Sequence, residues 1–434
     1  MIWSLRNYVF YSEKYGYILY AGNSGSIINL TKEIYDNIKY FCNGDFSTLD
    51  KDTLKLMKEY GVIIDMSDDD LLNIIFLKTI KTKCYNKTFS ISICPSDSCN
   101  FKCSYCFEDT DFRGIDNNND LEIMSKETIS NIVSYIKKTE CKILNVNLFG
   151  GEPLLGINSI IEFHNQIRKL KIKINYDIIT NGYLLNLNNI KILDKLPITT
   201  YQVSIDGFEE MHNKKRPHLK NRDSFEKIID NLKTFTNFYK NKTNKPKMKI
   251  RVNIDTLNNN IYPELHKYIK ATFPDYFVPY SSFTRETDKY LCTLNMNEKI
   301  EFITNNYHKN NIYEYSDLET KFKFNYCSAD LSSSYVIDSK GNAYKCLNDI
   351  GKKEKILFNF NTYDTYNENI EADYLIKTLP FFDNDCKKCF LLFSCFGGCP
   401  YLRLTKKKEC MLTKYQPNEL LEMYYEKINT ENRN

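Results

Sequence analysis

Between residue 84 and about residue 285 the chain alternates strand-like and helix-like stretches six times. Runs at 88–94, 144–149, 174–180, 200–205, 248–254 and 276–281 read as strands, rich in β-branched and aromatic residues. Stretches of amphipathic helical period lie between them, among them Ser125 to Thr139 and Ser224 to Tyr239. Such alternation implies a parallel sheet with right-handed crossovers. Six units suit an incomplete, open barrel, and in α/β barrels the chemistry gathers at the carboxyl ends of the strands.

The polar motifs sit at those ends. The first strand breaks at Cys94-Pro95 and is followed by Cys99, Cys103 and Cys106 at C-x3-C-x2-C spacing. Gly150-Gly151-Glu152-Pro153 follows the second strand, Thr180-Asn181-Gly182 the third, and Ser204-Ile205-Asp206-Gly207 ends the fourth. Three thiolates are one ligand short of what a four-iron cluster takes. A cubane held by three leaves one iron with an open position, where a small molecule can bind and react. The competing reading is zinc or redox thiols, but zinc sites come as paired halves that this triplet lacks.

Together, the cysteine spacing, the aromatic Tyr105 before the third cysteine and the Gly-Gly-Glu-Pro turn resemble the radical S-adenosylmethionine superfamily. The resemblance implies that the open iron chelates the amino and carboxylate groups of S-adenosylmethionine. Tyr105 would flank the adenine. Backbone at Gly150, Gly151 and Glu152 would hold the methionyl ammonium, glycine allowing close approach of the ligand. Asn181 and Ser204 lie where relatives touch the cofactor's ribose or carboxylate. Arg216, in His212-Asn213-Lys214-Lys215-Arg216-Pro217, is a candidate partner for the methionyl carboxylate or part of a solvated loop. Asp206 equally suits a cap on the turn at Gly207. Asn253 ends the fifth strand, facing the cofactor or simply closing the strand. The implied reaction cleaves S-adenosylmethionine to methionine and a 5′-deoxyadenosyl radical, which takes hydrogen from an inert C–H bond.

A second cysteine set lies towards the C-terminus: Cys327, Cys346, Cys386, Cys389, Cys395, Cys399 and Cys410. Its order, C-x13-G-x4-C, then C-x2-C-x5-C-x3-C, then C, resembles the SPASM extension, which binds two auxiliary iron–sulfur clusters. By that resemblance Cys327, Cys346 and Cys399 hold the first. Cys386, Cys389, Cys395 and Cys410 hold the second. Two cubanes take up to eight thiolates, so one place is open or filled by Cys292. Cys42, Cys84, Cys94 and Cys141 fit neither pattern and read as buried small apolar residues.

Residues 1–83 read as a small α+β domain. Strands at Asn7 to Tyr11, Tyr17 to Tyr20 and Ser26 to Leu30 precede a helix capped by Thr31, a second helix from Lys51 to Tyr60 and a strand at 62–64. The pattern resembles the winged-helix-like peptide-recognition domain of ribosomal-peptide modifying systems, where a leader peptide adds to the sheet edge. The expected organisation is therefore 1–83 peptide recognition, 84–285 a partial (β/α)6 TIM-type barrel, and 286–434 a bridging helix with the SPASM clusters.

The net charge of +4 on 434 residues gives no argument for nucleic acid or an anionic membrane. Met1-Ile2-Trp3-Ser4-Leu5-Arg6 lacks a signal-peptide core behind it, and no run reaches spanning length. A cytoplasmic protein does not devote 15 cysteines to disulfides, which leaves cluster ligation. The resemblance implies a peptide maturase that installs a cross-link or related modification, fed electrons by a flavodoxin or ferredoxin. The alternatives are an anaerobic sulfatase-maturing enzyme and a non-catalytic zinc- or cluster-binding protein. Against the former, Leu347 follows Cys346 where those relatives carry an Asp. The segment 109–121, rich in Asp and Asn, reads as a mobile surface loop.

Overall fold

A computed structural model describes residues 1–85, 87–108, 121–287, 289–313, 322–362, 366–405 and 407–431. All but the last residue of the 109–121 segment lies outside them. The chain divides into two compact units that do not follow chain order. One gathers 1–85, 315–332 and 372–434, the other 86–314 and 333–371. The first 85 residues thus share a unit with the last 63 or so, which the sequence assigned to separate domains.

In the first unit, β1 (Ile2–Trp3) pairs antiparallel with β5 (Ile63–Ile64). Strands β2 (Asn7–Ser12), β3 (Gly16–Ala21) and β4 (Ser26–Leu30) form an antiparallel meander in that order. Thr31 caps the helix Lys32–Asp36, and Asp50 caps Lys51–Glu59, which stops before Gly61 at φ +70°. One face of the sheet buries Leu19, Ala21 and Leu30 against Phe41, Met57 and Val62. The other packs Phe10, Ile18 and Tyr20 against Leu391 and Leu421. This second face is seated on the segment that carries Cys389 and Cys395. The Tyr20 hydroxyl meets Ser394 Oγ at 2.8 Å, and a Cβ on Gly22 would stand 2.1 Å from the Phe390 carbonyl.

A helix that the sequence pattern did not reveal runs over Asp68–Cys84, capped by Ser67 with three aspartates in its first turn. Its apolar residues are spread around the axis instead of gathered on one face, so it carries no amphipathic signal. Leu72 and Ile75 pack against Leu379, Phe381, Leu392, Phe393 and Phe396.

The second unit is built on β6 (Thr88–Ile93), β7 (Ile143–Leu148), β8 (Lys173–Thr180), β9 (Ile198–Ser204), β10 (Lys247–Ile254) and β11 (Phe277–Phe283). All six are parallel neighbours in sequence order, as the alternation demanded. Helices such as Lys126–Lys138, Ile157–Ile167 and Phe225–Tyr239 bury an apolar face between them. The sheet does not stop at six. β12 (Ser334–Ile337) adds parallel to β6, and β13 (Asn342–Tyr344) and β14 (Phe358–Asn359) continue it antiparallel, giving nine strands. All four residues of β12 are buried, so it lacks the alternation that marks a strand in sequence.

Cys94 and Cys141 are buried as expected, but Cys42 and Cys84 are exposed. Each closes a helix, Cys42 after Ile38–Phe41 and Cys84 at the end of Asp68–Cys84, where the side chain turns to solvent. Among the described residues no helix is long and apolar enough to cross a membrane.

Candidate active site and cysteine centres

The cysteine triplet occupies the loop after β6, and hydrogen bonds fasten that loop on three sides. Toward β12, the Cys94 amide donates to the Ile337 carbonyl at 2.9 Å, and the Asp97 carboxylate accepts from Ser339 N and, at 2.6 Å, from its hydroxyl. Toward the turn after β7, Gly151 N donates to Ser96 O at 3.2 Å and Glu152 N to Ser98 O at 2.9 Å. Toward the end of the helix Glu209–Lys215 and the segment that follows it, Lys102 N and Ser104 N donate to the carbonyls of Pro217 and Lys215, both at 3.0 Å.

The double glycine is needed for this docking. A Cβ on Gly151 would lie 2.4 Å from Ser98 O, and one on Gly150, at φ +122°, 2.7 Å from Ser96 O. The close approach is thus to the cysteine loop itself. An ammonium ion only donates, so at this turn it can be held by carbonyl oxygen and not by amides. The Glu152 side chain turns inward, fully buried, and accepts from Leu154 N at 3.0 Å, Thr180 Oγ1 at 2.7 Å and Asn181 N at 2.8 Å. Burial raises its pKa against those three donors. Asn181 in turn donates to Asn100 Oδ1 at 2.7 Å and accepts from Tyr183 N at 2.9 Å. Its amide is satisfied within the protein, and it holds the residue beside Cys99.

A second buried network lies under Tyr105. The phenol donates to Asp206, and receives from Arg216 and, at 2.9 Å, from Asn253 Nδ2. Asp206 also accepts from Asn253 N at 2.8 Å, and its own amide donates to His212 Nδ1 at 3.2 Å. The aspartate is no mere turn cap: with no exposure, it is the hub of the network. Lys215 Nζ pairs with Asp255 at 2.5 Å and donates to Asn253 O at 2.8 Å, while Tyr290 donates to Asp255. Arg216 is 7% exposed, so the solvated-loop reading does not hold for it. Burial opposes its charge, but Cys103, Tyr105 and Asp206 outweigh burial and raise its pKa. Burial pushes the Cys103 thiol up, with Arg216 pulling the other way. Ser204 ends β9 half-buried, opposite Arg251 in the register. Lys215, Asp255, Tyr290 and Asn100 were not singled out in the sequence. Only the fold brings the ends of β9, β10 and β11 to Tyr105.

In the first unit Cys386, Cys389, Cys395 and Cys410 line one cavity, partly open to solvent, together with Gly397, Lys408 and Lys414. Burial pushes Cys395 up to about 11. Cys327 and Cys399 also belong to this unit, and Cys346 follows β13 in the other, with Asn348 Nδ2 at 3.4 Å from its sulfur. Cys292 lies in the second unit, its carbonyl accepting from Thr256 N at 3.3 Å. Among the described residues no three His, Cys, Asp or Glu side chains converge as a single-ion site requires. A cubane takes one thiolate at each of its irons and does not ask that of them.

Comparison with known proteins agrees with this geometry. Residues 93–246, from the end of β6 to just before β10, match the Radical SAM superfamily. The chain carries a radical SAM domain. It is 25% identical over 355 residues to a cysteine-type anaerobic sulfatase-maturating enzyme of Clostridium novyi (strain NT), covering 72% of this chain and 88% of that one. It is 29% identical over 157 residues to the radical SAM cyclopropyl synthase TigE of Paramaledivibacter caminithermalis, covering 33% of this chain and 32% of the relative. Among solved structures, native anSMEcpe with bound AdoMet superposes with TM-score 0.63 at 23% identity, over 79% of this chain and 99% of that one. Streptococcus suis SuiB bound to precursor peptide SuiA gives TM-score 0.52 at 18% identity, over 94% of this chain and 97% of that one.

A radical SAM enzyme requires a four-iron cluster and S-adenosylmethionine, and the residues present fit both. Three cysteines share one loop, the Gly-Gly turn docks on that loop, and Arg216 brings a positive charge to Cys103.

Proposed function

We propose that this radical SAM enzyme modifies a ribosomally made peptide, and that it uses three clusters. Cys99, Cys103 and Cys106 hold the one that binds S-adenosylmethionine. Cys386, Cys389, Cys395 and Cys410 hold a fully ligated auxiliary cluster, and the other auxiliary cluster draws on the remaining cysteines of the C-terminal set. When bound, the cluster and S-adenosylmethionine supply a 5′-deoxyadenosyl radical that takes hydrogen from the peptide.

The chain's own residues position and shield. Carbonyls of the Gly150-Gly151 turn accept the methionyl ammonium, and Arg216 attracts the carboxylate. Tyr105, fixed at its hydroxyl by Asp206, Arg216 and Asn253, offers its ring edge or face to the adenine. Ser204 is within the same strand-end layer. The peptide reading rests on one observation: among the described residues β4 pairs with β3 on one side only, leaving an edge where an extended leader can add as a strand. An electron donor of the flavodoxin or ferredoxin class completes the system.

Co-expression with short reading frames that neighbour the gene, followed by mass spectrometry, tests the reading. A peptide with altered mass supports it. An unmodified peptide from enzyme that cleaves S-adenosylmethionine overturns it. The second reading, sulfatase maturation, is favoured by the C. novyi relative. Against it, Leu347 follows Cys346 where those enzymes are expected to carry an Asp, and it packs with Cys94, Val336, Tyr344 and Ile350. Conversion of a cysteine-containing sulfatase peptide to formylglycine would decide for it.

A further inference from the structure

The four-cysteine cavity of the first unit is ringed by positive charge. Arg403 Nη1 lies 3.7 Å from Cys386 Sγ and donates to Gly397 O at 3.2 Å. Lys414 Nζ lies 3.8 Å from Cys410 Sγ, and Lys408 lines the same cavity. Asp383 holds this collar in place. It accepts from Lys408 Nζ at 2.7 Å and Arg403 Nη2 at 3.4 Å, and caps the short helix carrying Cys386 by accepting from Cys386 N at 3.1 Å. Among the described residues, Glu409 is the only acid on the cavity lining, against Lys408 and Lys414. The triplet loop is balanced differently. There Arg216 stands against Asp206, with Glu152 buried close to Cys99.

We propose that Lys408, Lys414 and Arg403 raise the reduction potential of a four-iron cluster held by Cys386, Cys389, Cys395 and Cys410, making it a readier electron acceptor than its thiolates alone would allow. The proposal rests on the reading of those cysteines as cluster ligands. A cubane with four thiolates is net negative and gains another negative charge on reduction. Cations and hydrogen bonds at its sulfurs therefore favour the reduced form. The three side chains are positioning residues that act on the cluster through charge. None needs to touch a substrate.

The test is potentiometry, followed by electron paramagnetic resonance, on the anaerobically prepared full chain. Lys408→Gln/Lys414→Gln is expected to move one midpoint to more negative potential by about 59 mV or more, a tenfold change in the one-electron equilibrium. Lys414→Arg, which keeps the charge, and Lys340→Gln, on a surface lysine of the other unit, are expected to leave every midpoint in place. If the double variant loses iron, Lys414→Gln alone carries the test, because Lys414 stands outside the Asp383 ion pairs. Unmoved midpoints at normal iron content overturn the proposal. If Cys386→Ala/Cys389→Ala costs no iron, the cluster reading itself falls, and the proposal with it.

Discussion

Cys99, Cys103 and Cys106 depend on residues that carry no sulfur. Glu152 is buried and satisfied by three donors, so the Gly-Gly-Glu turn cannot shift without leaving a carboxylate unpaired. His212 shows the same dependence in its titration. It is fully buried, and burial, Arg216 and Lys215 depress its pKa to about 3 from the usual 6.5. Its folded form therefore resists a proton that the unfolded chain accepts. That contribution to stability is whole above pH 6.5 and is lost as pH falls towards 3, at about 1.4 kcal/mol per pH unit inside the window. His212→Asn keeps an acceptor for the Asp206 amide and removes the titration. Urea midpoints at pH 7 and pH 5 should differ less in the variant than in the native chain. An equal difference would show that His212 is not held neutral. The motifs at this scale were legible because cysteine spacing and a double glycine are local. Lys215, Asp255 and Tyr290 were not, because three strand ends must be brought together before their partnership exists.

At the scale of elements, the six parallel strands were readable from alternation alone. The helix Asp68–Cys84 and β12 were not, because one carries apolar residues around its axis and the other is buried on all its residues. The fold also joins elements that lie far apart in sequence. The meander β2–β4 buries one face on Leu391 and Leu421, within the segment between Cys389 and Cys395 and the last helix, Pro417–Glu431. Arg6, wholly buried, pairs with Asp68 at 2.7 Å and donates to the Lys387 carbonyl at 3.0 Å, inside Cys386-x-x-Cys389. The sheet thus packs on the segment that carries Cys389 and Cys395. Gly22→Ala, which drives a Cβ into the Phe390 carbonyl, should destabilise the first unit by about 1–3 kcal/mol. It should also lower iron by about four per chain, one cubane. Full iron content together with an unchanged melting temperature would show that sheet and centre are independent.

For the whole molecule, charge and composition were informative mainly by what they gave no reason to invoke. The division into two units was hidden, because 315–332 and 372–434 return to the first 85 residues while 333–371 extends the parallel sheet. A chain that weaves between its units in this way is expected to need its C-terminal cysteines for more than one purpose: packing the N-terminal sheet and holding iron. The central claim is that the triplet after β6 makes the protein a radical enzyme and that the remaining ligands hold separate clusters. The direct measurement is 5′-deoxyadenosine formation from S-adenosylmethionine by reduced, anaerobically purified protein, with iron counted in the same sample. The native chain should form it and carry about twelve irons, three cubanes. Cys103→Ala should form none and retain about eight. A native protein that is colourless, holds zinc and leaves S-adenosylmethionine intact would contradict the account.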